Sequence, residues 1–110
     1  MKLCNFVAYG ESIALNWKDV LTTLEYAGVI TRWAFCFHDV KHGALNPHYH
    51  IYLEERNPKA LETFLENIVG GHLLGDVRKE KDMLLYMMRH GKCDTANIVA
   101  NFDVEKVINT

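Results

Sequence analysis

The chain has 110 residues, a formal net charge of −2 and 49% apolar residues. This length fits one domain with one core, so residues 1–110 are predicted to form a single domain. No apolar run approaches the ~20 residues that span a bilayer, and the N-terminus lacks the charged, apolar and small-residue regions of a signal peptide. The sequence therefore predicts no membrane partner.

The cysteines and the charged residues bear on compartment and partner. Cys4, Cys36 and Cys93 make an odd number without Cys-x-x-Cys spacing, which is typical of reduced thiols and predicts a cytoplasmic protein. The acidic excess argues against a non-specific nucleic-acid coat, because phosphate binding is driven by surplus Lys and Arg. It does not exclude a nuclease with clustered cations. Residues 78–92 hold five lysines and arginines, although such a run is usually a solvated helix face.

Strand and helix patterns alternate along the chain. Asn16 and Pro58 mark helix starts, and Gly28, Gly70 and Gly91 mark helix ends. The predicted elements are, in chain order, a strand at 3–9, a connector at 12–16, a helix at about 17–27, a strand at 31–38, a loop at 39–47, a strand at 48–54, a helix at about 58–69, a strand at 72–77 and a helix at 82–90. The tail at 95–110 is ambiguous, and it forms a short helix or leads into a larger protein.

The order of these elements predicts an α+β fold. The first strand, helix, strand, strand, helix and strand match the ferredoxin-like, split βαβ plan, in which the first and third strands are central in an antiparallel sheet. The third helix is an addition to this plan. The third strand begins with His48-Tyr49-His50, so a pair of histidines is expected on a central and therefore rigid strand.

His48 and His50 are candidate metal ligands. Side chains alternate faces along a strand, so the two imidazoles project from one face, about 7 Å apart at ~3.4 Å per residue. If His38 lies opposite His48 in the hairpin, Cys36 lies opposite His50, and directly opposed residues share a face. The other face then collects the apolar side chains of Trp33, Phe35, Phe37, Tyr49, Ile51 and Leu53. This register makes one face the core and presents three histidines on the other.

Three imidazoles would bind a transition ion such as Mn²⁺ and leave positions for substrate oxygens. Two alternatives stay open. His38 is a strand-end histidine that water can satisfy, and Cys36 either converts the site into a zinc site or packs as a small apolar residue.

Tyr86 is the candidate nucleophile. Met83, Leu84, Met87 and Met88 form the core stripe of the third helix, and Tyr86 lies about 130° from the centre of that stripe at ~100° per residue. A boundary tyrosine with no chemical role would also fit. Beside a divalent ion that polarises a phosphodiester, however, a tyrosine can attack phosphorus and form a covalent 5′-phosphotyrosine. The phenol then needs activation by the metal, a base or a cation, and candidate helpers are Lys79, Arg89 and His90.

Taken together, these motifs resemble the HUH endonucleases, and most closely the replication initiators of small rolling-circle plasmids. In that family a Tyr-Pro-Glu-Ser-Ile connector precedes a Trp, and Leu-His-Asp-Lys-Asp, Lys-Pro-His-Tyr-His-Val and a Leu-Tyr-Leu-Thr-His helix follow. The similar segments are Tyr9-Gly10-Glu11-Ser12-Ile13 with Trp17, Phe37-His38-Asp39, Asn46-Pro47-His48-Tyr49-His50-Ile51, Leu85-Tyr86-Met87-Met88-Arg89-His90 and, near the end of the domain, Asn101-Phe102-Asp103.

The resemblance implies a site-specific enzyme that recognises an origin hairpin, nicks exposed single-stranded DNA, rejoins it and uses Mn²⁺ or Mg²⁺. It implies His38, His48 and His50 as metal ligands and Tyr86 as the nicking nucleophile. The family's fourth ligand, an aspartate, falls here on Lys41. Either the ion keeps three ligands, or Asp39 or His42 compensates.

Two other protein classes are alternatives to a rolling-circle initiator. The first is an HUH transposase or relaxase-like nickase. A relaxase usually carries a tyrosine N-terminal to a three-histidine cluster, whereas Tyr86 follows the histidines, which disfavours this alternative. An RRM-like single-strand binder shares the split βαβ plan but displays aromatic residues on the open face of its sheet, and the register above turns the aromatic residues towards the core.

Overall fold

A computed structural model of the chain describes residues 2–38, 46–91 and 97–110, without the side chains of residues 72–74 and 89–91. Within these residues an α+β fold is built on a five-stranded antiparallel sheet of order β4-β1-β3-β2-β5. The strands are β1 Lys2–Ala8, β2 Ile30–His38, β3 His48–Glu55, β4 Gly71–Val77 and β5 Val99–Ala100. The predicted α+β class is confirmed, and β1 and β3 are interior strands as expected.

The helices follow the predicted order with shifted ends. They are α1 Trp17–Tyr26, α2 Pro58–Glu66, α3 Glu80–Gly91 and α4 Val104–Ile108, and a 3-10 helix occupies Gly10–Ala14 in the expected connector. Asn16 caps α1 by accepting a hydrogen bond from the Asp19 backbone N–H. The predicted end of α2 at residue 69 is wrong. The Asn67 N–H donates to the Phe64 carbonyl and its side-chain amide donates to the Thr63 carbonyl, which closes the last turn early.

The predicted hairpin register is confirmed. His38 pairs with His48 and Cys36 pairs with His50, so these side chains share a face of the sheet. The opposite face packs against α1 and α2, as expected for a strand pair with one aromatic side. The buried residues of the core between this face and the two helices are Cys4, Phe6, Ala8, Trp17, Leu21, Ile30, Trp33, Phe35, Ile51, Leu53 and Leu61.

The histidine face is also covered, which differs from the expectation of an open face. Helices α3 and α4 pack on it, and the predicted stripe of α3 supplies the contacts. His38 and His50 are consequently only 2% and 3% exposed, while His48 is half-buried at the rim. The buried apolar residues of this second core are Ala34, Cys36, Tyr52, Met83, Leu84, Met87, Ile98 and Val104.

The tail that was ambiguous in sequence forms β5 and α4. Asn101 fastens it to β2, because its side chain accepts from the Trp33 N–H and donates to the Thr31 carbonyl, both at 2.9 Å. Strand β5 has two residues, too few for a period-two pattern to be recognised in a sequence. No helix of the described residues is long and apolar enough to cross a membrane.

Candidate functional site

Three histidines meet at one end of the β2–β3 hairpin. His38 is the last residue of β2 and His48 the first of β3, and their ring centroids lie 5.0 Å apart. The His50 ring lies 5.7 Å from that of His38. The register alone produces this cluster, since cross-strand partners and alternate residues of one strand share a face.

Tyr86 lies against this cluster. Its position outside the apolar stripe of α3 leaves the side chain 47% exposed, and its ring lies 5.5 Å from the His50 ring with an interplanar angle of 81°. An accessible phenol therefore packs edge-to-face on a buried imidazole. The predicted nucleophile and the three predicted ligands are brought together in one place.

Backbone carbonyls orient two of the imidazoles. A carbonyl oxygen can only accept, so His48 donates from Nδ1 to the Asn46 carbonyl at 2.8 Å, and His38 donates from Nε2 to the Met87 carbonyl at 3.1 Å. In the neutral tautomer this leaves Nε2 of His48 as its lone-pair nitrogen. The Sγ atom of Cys36 lies 3.1 Å from Nε2 of His38, and Cys36 is buried among apolar neighbours.

Asn5 orients the third imidazole, and the sequence reading did not single it out. Its Oδ1 lies 3.2 Å from Nε2 of His50, and its Nδ2 donates to the Gly75 carbonyl at 3.3 Å. The second bond identifies Oδ1 as the acceptor, so His50 donates from Nε2. A signal was present in the sequence, because Asn5 is the one polar residue between Leu3 and Ala8.

The donor set suits a divalent ion, and each of the three imidazoles also donates one hydrogen bond within the protein. A ligating nitrogen lies ~2.1 Å from the ion, which places two ligating ring centres roughly 4.5–5.5 Å apart. The separations of 5.0 and 5.7 Å come close to this range. Among residues 2–38, 46–91 and 97–110, however, no group of three or more His, Cys, Asp or Glu side chains is arranged to hold a metal ion. Coordination by this trio stays a prediction. Because Nε2–H of His38 and of His50 donates within the protein, the neutral tautomer of each ring carries its lone pair on Nδ1, and coordination by either ring would use that atom.

A shallow groove of about 220 Å³ runs beside Tyr86. Two cations, Arg78 and Lys79, and two carboxylates, Asp76 and Asp82, line it together with Asn5. Lys79 is a predicted helper of Tyr86, whereas Arg78 is predicted only as part of the basic run at residues 78–92. The groove therefore brings the phenol, two cations and the polar residue that orients His50 to one surface.

The remaining predicted accessory residues are not placed. Asp39 and His42 lie outside the described residues, as does Lys41. Arg89 and His90 belong to the end of α3, but their side chains lie outside the described part of the chain.

Comparison with known proteins gives no assignment: no protein-family model, no curated protein and no solved structure matches this chain.

Proposed function

We propose that this protein nicks and rejoins single-stranded DNA at a replication origin through a covalent bond to Tyr86, and so initiates rolling-circle replication. The observation that carries the proposal is the accessible Tyr86 ring lying edge-on to His50 within a cluster of three histidines. A tyrosine placed only for packing has no need of such neighbours. A tyrosine that attacks phosphorus needs groups beside it that bind and polarise the phosphodiester.

The proposed reaction exchanges one phosphodiester for another. The Tyr86 oxygen bonds to phosphorus as the phosphorus–3′ oxygen bond breaks. The phenol gives up a proton and the departing 3′ oxygen acquires one. The products are a 3′-hydroxyl end and a 5′-phosphotyrosine, and no water or external energy source is consumed. Attack by a 3′-hydroxyl on the phosphotyrosine reverses the step and joins strands.

The residues around Tyr86 divide the remaining tasks. Arg78 and Lys79 line the groove next to the phenol, where cations suit a DNA backbone in a chain that is acidic overall. His38, His48 and His50 would hold Mn²⁺ or Mg²⁺, which supplies Lewis-acid stabilisation of the non-bridging oxygens. Asn5 fixes the orientation of His50 and is a positioning residue.

The sheet supports assignment to the HUH type of nuclease fold. Its order places the His48-Tyr49-His50 strand between β1 and β2, with α3 lying over the histidines. The segments that hold His38, His48 and Tyr86 therefore meet, although they are distant in sequence. In the order of the chain Tyr86 follows the histidines, which favours an initiator over a relaxase.

Burial of the aromatic residues argues against a non-catalytic RRM-like binder. Trp33 and Phe35 lie in the core under α1 and α2, and Tyr49 packs against Phe35 with ring centroids 5.9 Å apart. These rings are unavailable as a stacking platform on that face of the sheet.

The test is covalent capture from a single-stranded DNA pool with a randomised centre. Protein, pool and Mn²⁺ are mixed and denatured with detergent, and protein-linked DNA is isolated on a gel and sequenced. We expect an adduct that carries DNA 5′-linked to Tyr86, contains an enriched sequence and is abolished by Tyr86→Phe and by EDTA. Supercoiled plasmid carrying the enriched sequence should then be nicked within it.

Tyr26→Phe is the matched control, because Tyr26 is 95% exposed at the end of α1. This variant should form the adduct at the wild-type rate. An adduct that persists in Tyr86→Phe, or no adduct with any sequence in the pool and either metal, would contradict the proposal.

A further inference from the structure

A second pocket opens beside His48. It has a volume of about 720 Å³, within the range of ligand-binding pockets. Its walls are largely apolar, and Asn46 and His48 supply polar groups. The lining residues are Val7, Tyr9, Gly10, Ile13, Asn46, Pro47 and His48.

The pocket lies on the same face of the sheet as the histidine cluster. Val7 pairs with His50 across β1 and β3, and directly opposed residues point to one face. His48 is shared, because it lines the pocket and also lies 5.0 Å from His38 between ring centroids. A single line of contacts thus connects the pocket to Tyr86 through the three imidazoles.

Tyr9 is an aromatic side chain presented from a rigid backbone. Its N–H donates to the Gly70 carbonyl at 2.9 Å, and its carbonyl accepts from the Ser12 hydroxyl at 2.7 Å. The Ser12 carbonyl in turn accepts from the buried Trp17 indole at 2.9 Å. The Tyr9 ring is nevertheless 44% exposed. Because the Tyr9 backbone is already held in place, stacking of a flat ligand on the ring has only side-chain torsions left to order.

The chemistry of the pocket fits a nucleobase better than an aliphatic side chain. A base has two apolar faces and a polar edge, which match the Tyr9 ring, the Pro47 ring and the polar groups of Asn46 and His48. At the other end of the cluster, Arg78 and Lys79 line the groove beside Tyr86 and complement phosphate charge. A strand lying across this face would therefore meet cations on one side of the histidines and a stacking pocket on the other.

We propose that the pocket between Tyr9 and Pro47 holds an unstacked base of the DNA strand, near the bond that Tyr86 attacks. This inference rests on the proposed function, which it extends by assigning a specificity pocket. Removing one base from the stack fixes the strand along the sheet and allows that base to be read on its polar edge.

Binding in EDTA tests the pocket without cutting. Fluorescence anisotropy is measured with labelled homopolymers of dT, dA, dC and dG, each of about 12 nucleotides, a length that covers a typical single-strand site. We expect Tyr9→Ala to raise Kd about tenfold for the tightest homopolymer, since stacking on an aromatic residue contributes about 1.4 kcal/mol or more. Tyr9→Phe should retain wild-type binding, and Tyr26→Ala is the exposed-tyrosine control.

Photocrosslinking locates the base directly. A homopolymer of dT with one 5-iododeoxyuridine is irradiated with the protein, and the crosslinked peptide is identified by mass spectrometry. The proposal expects attachment at Tyr9 or His48. Equal Kd values for wild type and Tyr9→Ala, crosslinks confined to other residues, or no binding of any homopolymer would overturn it. So would dimerisation that is lost in Tyr9→Ala without a change in Kd, because the pocket would then receive a second copy.

These results separate the pocket from the nicking activity. If covalent capture fails while the Tyr9 effect on Kd persists, the pocket stands and the proposed reaction falls. If capture succeeds and Tyr9→Ala binds DNA normally, the proposed reaction is supported and the proposed base-binding pocket is contradicted.

Discussion

At the scale of single residues, the candidate site depends on polar side chains that are buried or half-buried in an otherwise apolar sheet. Asn5 and His50 occupy neighbouring interior strands and satisfy each other through the Oδ1–Nε2 contact. Burying a polar group is costly unless it is hydrogen-bonded, so this pair is favourable only when both partners are present. Asn5 therefore acts on the site by holding the His50 ring against which Tyr86 packs.

Replacing Asn5 with alanine should slow the chemistry more than it weakens DNA binding. We expect Asn5→Ala to lower the rate of adduct formation about tenfold at saturating DNA, as when a histidine ligand loses its orienting partner. The free energy of unfolding should fall by about 1–3 kcal/mol, because His50 and the Gly75 carbonyl each lose a partner. Single-turnover gels and urea unfolding measure the two effects.

Imidazole nitrogen spectra distinguish positioning from general destabilisation. The ¹⁵N signals of His50 should shift in Asn5→Ala and stay in place in Asn109→Ala, since Asn109 is exposed near the chain end. An unchanged rate in Asn5→Ala would show that His50 needs no orienting partner.

At the scale of elements, α3 is anchored at its start. Arg32 of β2 binds Glu80 through two hydrogen bonds of 2.6 and 2.8 Å, and the Tyr52 hydroxyl donates to the same carboxylate. The Arg32 guanidinium also stacks over Phe102, 3.8 Å from the ring centroid. Helix α3 is therefore fixed to the sheet almost two turns before Tyr86, which explains why it begins at Glu80 and not at the predicted Asp82.

The connector that carries Tyr9 is fixed by close backbone packing. Gly70 has a φ of +80°, and a Cβ atom there would lie 2.1 Å from the Tyr9 carbonyl oxygen. Gly28 has nearly the same φ, +78°, with open space around it. The two glycines thus share the cost of a left-handed backbone and differ only in crowding.

Alanine substitutions at these glycines isolate the effect of crowding. Gly28→Ala should lower the free energy of unfolding by about 1–2 kcal/mol, the cost of a left-handed alanine. Gly70→Ala should lower it by a further ~1–3 kcal/mol, because the connector must shift away from the methyl group. Urea unfolding of both variants measures the difference. Equal losses would mean that the connector yields freely and that Tyr9 is not held in place.

Local patterns in the sequence could predict most elements and the histidine cluster. The register of His38 with His48 followed from alternation alone, since a slip by one residue would bury histidines among aromatic residues. The packing of α3 and α4 on that face could not be predicted, because the alternation of residues along a strand shows which side chains share a face but not which helix covers them. Asn5 was missed for a related reason: its role depends on His50, which is 45 residues away.

At the scale of the whole molecule, one sheet separates two cores of different character. The core under α1 and α2 is rich in aromatic residues. The core under α3 and α4 is apolar along most of the sheet and borders the histidine cluster at one end. The candidate site lies where the second core ends, and the first core supplies the rigidity that a precise site requires.

Buried acidic groups in both cores should make the fold sensitive to alkali. Burial, followed by the charge of Glu55, raises the pKa of the Cys4 thiol from 9.0 to about 12. Burial and the hydrogen bond to Glu80 also raise the pKa of Tyr52. Between pH 9 and pH 12 the unfolded chain therefore releases a Cys4 proton that the folded chain retains. The unfolded state binds fewer protons, so the free energy of unfolding falls as pH rises through this window.

Urea unfolding between about pH 8 and pH 11 measures this loss, which is at most ~1.4 kcal/mol per pH unit for one proton. Cys4→Ala should make the decline above pH 9 shallower, even though the smaller side chain lowers stability at neutral pH. Tyr52→Phe should act in the same sense from about pH 10, where an unfolded tyrosine ionises. A decline of unchanged steepness in both variants would mean that neither group keeps its proton in the folded chain, and that the two cores admit water at alkaline pH.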